Sequence, residues 1–581
     1  MSAPAWADAT VVTKAMTAST IAEVSIDRDA VRVALEIGEQ DRWAFENLLS
    51  DEMLARPRGE LLPFEKRRGR FFQNDWVIRL DGKAPVIGNV EHIEMRRRVL
   101  RDEVTGEPLA EQPVDAELVV FATIVYPLDG EPKTLSIRPP LVKGTRNATV
   151  NIGFVVYHAG LPVTDFRYLA GEETVDLDWE DPWYSRFRNR NLKRQFDAPL
   201  SAFLYVEHFE VRKEIIVRPK DLAEWLDLDL DGKSIIRVED QVAMKRRVAE
   251  FLAKRCPVII DGEAIKPQLD RIHFIRRTLR RTGVVDPPED LDATSATLGV
   301  IFVYPIDGLP DEVTMMWDMF TPRIGRVPAV ATDEAGGLPQ TLTPDDAVLR
   351  WKNYLTHPTV PAFATIAAPP ERPKFVFSLI SIGCGMSLII LLLLMFRTII
   401  TARKPSVQLA IASVVVAACA VGCWPYTQVA VANPLAEPPR LADDDARAVI
   451  GGLLHNIYRA FDRHDESLVY DQLARSVAGP LLGEVFLKTR KTTEVKNQGG
   501  VRITVKEVEI LDLSAEPPAE SSEYTFDCRW RVAGSIGHWG HIHRRAGEHR
   551  ARLTIAPIEG MWKITAIEMM DTPPLDTTAT R

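Results

Sequence analysis

The sequence predicts a multi-domain membrane protein: tandem β-rich, sandwich-like repeat domains, a two-helix transmembrane hairpin and a C-terminal α+β domain. Three observations predict it. Two long apolar stretches lie close together in the second half of the chain, at Phe375–Phe396 and Val407–Trp424. The region before them repeats its own landmarks at offsets of 178 to 182 residues and alternates apolar and polar residues as strands do. The region after them passes from helical spacing to long alternating runs.

The chain opens with MSAPAWADA, which holds small residues in an A-x-A arrangement (Ala5-Trp6-Ala7, or Ala7-Asp8-Ala9). Residues 1–20 are expected to be a signal-peptide remnant, with the true start upstream of Met1, or else a flexible Ala-rich tail.

The repeat divides the next region into domains at 21–200 and 201–370. VYPLDG (Val125–Gly130) returns as VYPIDG (Val303–Gly308), and Asp81-Gly82 returns as Asp261-Gly262. HIEMRR (His92–Arg97) aligns with IHFIRR (Ile272–Arg277), and VRVALEI (Val31–Ile37) with VRKEIIVRP (Val211–Pro219). An acidic-aromatic segment containing Trp43 or Trp225 follows each of the last pair. Alternation at Val31, Val33, Leu35 and Ile37 marks strands, and Asp-Gly turns punctuate them. One amphipathic helix is expected at Val238–Lys254, with Val242, Val248, Phe251 and Leu252 on its apolar side.

Two segments here have functional potential. In VDLDWEDPWYSRF (Val175–Phe187), Trp179, Trp183 and Tyr184 sit among four carboxylates. That mixture suits a sugar or peptide surface; the plainer alternative is aromatic anchors fixing a loop onto a sheet. Asp227–Gly232 (DLDLDG) begins like a calcium loop. Its twelfth position is Val238 where the loop needs an acid, so an acidic turn is the simpler reading.

The apolar stretches set the topology. A helix needs roughly 20 apolar residues to cross the hydrocarbon core. Residues 375–396 meet that, and residues 407–424 lie near the lower limit. The link 397–406 carries Arg397, Arg403 and Lys404, against Arg372 and Lys374 before the first span and Arg440 after the second. The bias puts the link in the cytoplasm and both polar regions outside. Gly383, Gly385, Ala417, Ala418 and Gly422 are expected to let the helices pack closely. Neither span carries an ionisable Asp, Glu, Lys, Arg or His, which weighs against an ion or proton path.

A Pro- and acid-rich linker, 425–440, leads to the last domain at 441–574, with a tail at 575–581. Helices are expected at Ala446–Phe461 and through Leu468–Leu473, then strands at Val501–Leu513, Tyr524–Val532 and Trp562–Met569. This order, with AFDRHDESLVYDQLA (Ala460–Ala474) and a closing GMWKI (Gly560–Ile564), resembles the nuclear transport factor two-like or SnoaL-like cone-fold superfamily. The resemblance covers roughly 130 residues. It implies a cone-like domain from a family that includes small isomerases and hydrolases beside many non-catalytic binding and assembly modules. The Asp–His or Tyr–Asp pair of the family's enzymes carries over to no position here, which weighs against catalysis.

In the same domain GSIGHWGHIHRRAGEH (Gly534–His549) holds four of the chain's eleven histidines. If Arg544–Glu548 were a turn, His541, His543 and His549 would face one point and could bind a transition metal. The alternatives are a polar pocket or interaction surface including His538 and Trp539, or no special role.

A net charge of −10 excludes a basic nucleic-acid surface. Five cysteines, three of them in the spans, make no disulfide framework or CxxC metal pattern. No Ser–His–Asp signature, phosphate loop, HExxH or dinucleotide motif occurs. The expected function is therefore a non-catalytic binding or scaffold protein of a bacterial-type inner membrane, with the lipid bilayer and other envelope proteins as partners and both soluble regions periplasmic. The alternative is a metal-binding or hydrolytic envelope protein that uses the His-rich hairpin.

Overall fold

A computed structural model describes the chain apart from residues 1–12, 55–61, 102–107, 278–281, 359–361, 368–373, 403–406, 427, 433–440, 442, 463–465, 488–502, 516–522, 539–540 and 571–581. The chain forms two compact units, the first comprising chiefly Met1–Pro361 and the second beginning at Ala362.

The first unit contains two β assemblies in series. In the first, the main sheet runs Asn89–Arg97, Leu118–Pro127, Ala30–Ile37, Thr20–Ile26, Ile152–His158, Leu161–Pro162. In the second it runs Thr282–Val284, Gln268–Arg277, Thr297–Pro305, Glu210–Val217, Leu200–Val206, Val327–Asp333, Gly336–Leu342, the first of these an extra edge strand. Each main sheet has one parallel pair, Thr20–Ile26 with Ile152–His158 and Leu200–Val206 with Val327–Asp333. Register coincides too, with Val31 opposite Tyr126 and Val211 opposite Tyr304. A bulge interrupts each of the corresponding strands Asn89–Arg97 and Gln268–Arg277, at Val90/His92 and at Leu269/Arg271.

A smaller sheet covers one face of each main sheet. Alternation decides the packing: Val31, Val33, Leu35 and Ile37 are all buried, and they share a core with Ile78, Leu135, Ile137 and Val175 of the smaller sheet. In the second assembly Trp351, Met315 and Val258 fill the same role against Ile215, Val300 and Tyr304. The helix Val238–Leu252 adds Met244, Val248 and Leu252 to that core. Val242, expected on its apolar side, is 76% exposed, because Gln241, Met244, Val248 and Leu252 form the inward stripe. Asp81-Gly82 and Asp261-Gly262 make matching turns. Both aspartates have positive φ, and each Oδ1 accepts two backbone N–H groups, from Lys133 and Thr134 or from Asp311 and Glu312.

In the second unit, the apolar helix Leu379–Ala402 has 24 residues, about 36 Å at the α-helical rise, and is long enough to cross a membrane. Its large side chains stay exposed: Met386, Ile389, Leu393, Phe396 and Ile400 all exceed half exposure. The helix Val407–Gly422 has 16 residues and packs beside it, with Ser381 Oγ donating to Ala420 O at 2.6 Å. The helical segment thus starts later than Phe375 and ends beyond Phe396. Phe375, Val376 and Phe377 belong to a strand, Lys374–Ser378, paired antiparallel with Gln428–Ala432. β-branched and aromatic residues suit such a ladder, and Thr398, Ile399 and Ile400 carry the helix on past Arg397. The rest of the expected link, with Arg403 and Lys404, lies outside the described residues. Close packing through glycine is not observed: a Cβ at Gly383, Gly385 or Gly422 would meet nothing within 4 Å.

The C-terminal part follows the expected order. Helices Asp443–Ala460 and Glu466–Leu473 precede a four-stranded sheet in chain order, Ile503–Ala515, Tyr524–His538, His541–Ile558, Met561–Met569. Ile450, Leu453 and Ile457 pack against Phe526, Trp530, Leu553 and Ile564. Three aspartates, Asp443 to Asp445, form the first helical turn, where carboxylates complement the helix dipole.

Candidate functional site

The sequence segment Val175–Phe187 folds as a tight return. Asp178 Oδ1 accepts the N–H groups of Glu180 and Asp181, turning the chain. Asp181 then caps the short 3-10 helix Pro182–Tyr184 through the Trp183 N–H. Val175 pairs with Phe187, and both are buried in the core.

This return delivers its aromatics and acids to the second β assembly. Arg218, at the end of the strand Glu210–Val217, has no exposed side-chain surface. Its guanidinium donates to both oxygens of Asp181 (Nη2–Oδ2 2.5 Å, Nη1–Oδ1 3.2 Å) and from Nε to Asp221 Oδ2 at 2.6 Å. The Tyr184 hydroxyl donates to Asp221 Oδ1 at 2.6 Å. Trp183 is buried between two guanidinium groups, Arg194 at 4.0 Å and Arg218 at 4.7 Å. At the rim Lys220 lies 3.6 Å from Asp181, and Arg323 lies 3.6 Å from Asp178 and 3.5 Å from Glu180. An open cleft of about 430 Å³ beside the clamp is lined by Glu180, Tyr184, Lys220 and Arg323.

The electrostatics favour holding over reaction. Burial alone would raise the Asp181 carboxyl, but the Arg218 hydrogen bonds and charge outweigh it and hold it below the usual range. Asp221 is pushed up by burial despite the same guanidinium. Burial also raises the Tyr184 hydroxyl, and the neighbouring Asp221 charge adds to this. Each carboxylate is committed to a fixed donor, so neither is poised as a general base.

Trp179 sits behind the clamp. Its Nε1 donates to Pro132 O at 2.8 Å, and its ring meets His158 edge-on at 4.3 Å. The Ser185 hydroxyl accepts the Asp178 N–H and is 2.7 Å from His158 Nδ1, to which it is free to donate. His158 is fully buried, and desolvation depresses it to about 4.

Trp179, Trp183 and Tyr184 are therefore brought together as anchors, and the sugar- or peptide-surface reading loses Trp183 to burial. The residues that sequence reasoning missed are Arg194, Arg218, Asp221 and His158. One signal could have found Arg218: four carboxylates among six residues, Asp176 to Asp181, demand cations from elsewhere in the fold.

The other candidates are not assembled. Asp227 Oδ1 accepts the Asp229 N–H, and Lys233 pairs with Asp229 at 2.7 Å, so DLDLDG is an acidic turn with its own counter-charge. His541–Ile558 is one unbroken strand, which removes the turn expected at Arg544–Glu548. Eight residues of extended chain separate His541 from His549 by about 26 Å, too far to share an ion. His549 stacks on Trp530 at 5.5 Å. The side chains of His538, Trp539, His541 and His543 lie outside the described residues. Among the described residues no group of three or more His, Cys, Asp or Glu is placed to hold a metal.

No protein-family model and no curated protein matches the chain. Among solved structures, the crystal structure of the intermembrane space region of the chloroplast protein ARC6 is 14% identical and covers 23% of this chain and 100% of its own. Its TM-score is 0.18, which establishes no shared fold.

Proposed function

We propose that this chain is a non-catalytic scaffold of a bacterial-type inner membrane, anchored by a two-helix hairpin with both polar regions periplasmic. One observation carries the reading: Lys374–Ser378, which enters the first apolar helix, is hydrogen-bonded to Gln428–Ala432, which leaves the second. A ladder joining the outer ends of two helices brings both polar regions out at the same face. The exposed apolar surface of Leu379–Ala402 supports lipid as its surroundings. The shorter Val407–Gly422, about 24 Å long, reaches the opposite side with help from Cys423 and Trp424.

The β assemblies are read as one duplicated unit, supported by their common strand order, bulge position and Asp-Gly turn. The C-terminal domain is read as a cone-like module of the non-catalytic kind, supported by its meander of long strands backed by two helices. The arginine clamp makes the two β assemblies a single stiff arm for binding other envelope proteins.

Cysteine accessibility tests the topology. Cys384, Cys419 and Cys423 are replaced by serine; Cys256 and Cys528 are buried and stay. Single cysteines are then placed by Asp229→Cys, Arg403→Cys and Glu523→Cys. A membrane-impermeant maleimide added to spheroplasts should label the first and third only. Labelling at Arg403→Cys, or at just one of the other two, would refute the hairpin.

A further inference from the structure

A second cavity, of about 240 Å³, lies between the two β assemblies on the other side of Trp183. Half of its lining is apolar, with Leu161, Ile275, Val285, Leu291 and Ala296 contributing, and half is polar or charged. Into this lining come several charged groups, and all but one are already partnered. Arg194 donates to Pro162 O and Trp183 O, both at 2.7 Å. Asp165 accepts the Gln195 N–H, and Asp290 accepts the Val238 N–H. Asp292 accepts those of Thr294 and Ser295. Arg276 is paired with Glu289.

The exception is Arg277. Its guanidinium lies 4.6 Å over the Phe196 ring, a stacking that leaves the in-plane N–H groups available as donors. Its Nε is buried and has no acceptor among the described residues. Burial without a counter-charge depresses it to about 10. A planar fork of donors beside an apolar wall, in a cavity whose other charged groups are already partnered, matches an anion with two coplanar oxygens on an apolar body. At about 30 Å³ per water, the cavity has room for about eight waters, or for a carboxylate carrying a handful of carbons.

We propose that the cavity between the β assemblies binds a small monocarboxylate with a short apolar tail, its carboxylate held bidentate by Arg277 over Phe196. The wall comes from both assemblies, so occupancy stiffens their junction. The site is independent of how the chain sits in a membrane, and its failure would leave the hairpin topology untouched.

The test is calorimetric titration of the full chain in detergent with isocaproate, benzoate, N-acetyl-leucine and inorganic phosphate. Isocaproamide and N-acetyl-leucinamide serve as uncharged counterparts. Isocaproate or benzoate should bind while isocaproamide does not, and Arg277→Gln should weaken binding about 30-fold, as expected for loss of charge-assisted hydrogen bonds. Arg277→Lys, which keeps charge without the fork, should fall between. Binding of N-acetyl-leucine alone among the acids would assign the same carboxylate chemistry to a chain terminus. Acid and amide binding alike, phosphate binding alone, or no binding at all would overturn the proposal. Should Arg277→Gln fail to fold, the acid-against-amide comparison on the unaltered protein still decides.

Discussion

Replacing Arg218 with methionine isolates the clamp. The guanidinium is fully buried and is the partner of Asp181 and Asp221, whose side chains are 7% and 8% exposed. Met keeps much of the packing volume but abandons two buried carboxylates. Leaving such a charge unpaired costs about 3–5 kcal/mol. The loss should appear locally, at Val175–Phe187 and Pro219–Glu224, before the rest of the sheets respond. Hydrogen exchange read by mass spectrometry on the full chain suits this, since a chain of several domains has no single unfolding free energy. At about 1.4 kcal/mol per tenfold, amides of those two segments should exchange roughly 10²- to 10³-fold faster. Arg218→Met with Asp181→Asn and Asp221→Asn should recover most of the protection, because the unpaired charges are gone. An acceleration below tenfold in the single variant, or a triple variant no better than the single, would refute the clamp as the source of stiffness.

Three further outcomes follow from buried groups. His158 is neutral in the folded protein, so an unfolded segment with its usual imidazole takes up a proton as pH falls from 6.5 towards 4; the local opening free energy should drop over that window by about 3 kcal/mol, read by hydrogen exchange around His158, and His158→Gln should lack this component. Lys213 Nζ donates to the carbonyls of Leu252, Arg255 and Cys256 at the end of the helix Val238–Leu252, and burial lowers it to about 8. Its charged form carries a burial cost below pH 8 that is relieved as pH rises towards 10.5, yet Lys213→Met orphans three carbonyls and should still lower the local opening free energy by about 1–3 kcal/mol at pH 7, read by hydrogen exchange at the end of that helix. Gly153→Ala would place a Cβ 1.9 Å from Ala15 O and should abolish stable folding of the first β assembly, whereas Gly383→Ala meets open space and should leave the apolar helix unchanged or slightly firmer by circular dichroism.

Much of the β architecture was legible because period-two alternation records burial directly, as Val31 to Ile37 and the Tyr126 and Tyr304 strands illustrate. The C-terminal order was equally open, since Ile450, Leu453 and Ile457 mark a helix by spacing alone. Hydropathy misled at Phe375–Phe377. An apolar run does not distinguish a helix from a strand, and the deciding partner, Gln428–Ala432, lies some fifty residues away. The His-rich hairpin was misdrawn because nothing in the local sequence fixes its register, and the turn expected at Arg544–Glu548 falls inside the strand His541–Ile558. Trp179, Trp183 and Tyr184 were visible as a cluster, but their role was not. Arg218 is 37 positions from Asp181, and no local pattern announces so distant an ion pair.

The ladder between Lys374–Ser378 and Gln428–Ala432 also sets how the molecule yields under load. Lys374 pairs with Ala432, so tension between the two polar regions enters at one end of the ladder. The strands then peel apart pair by pair and never share the load in shear. Five residue pairs loaded that way form a mechanical fuse, each pair giving way before the next is strained.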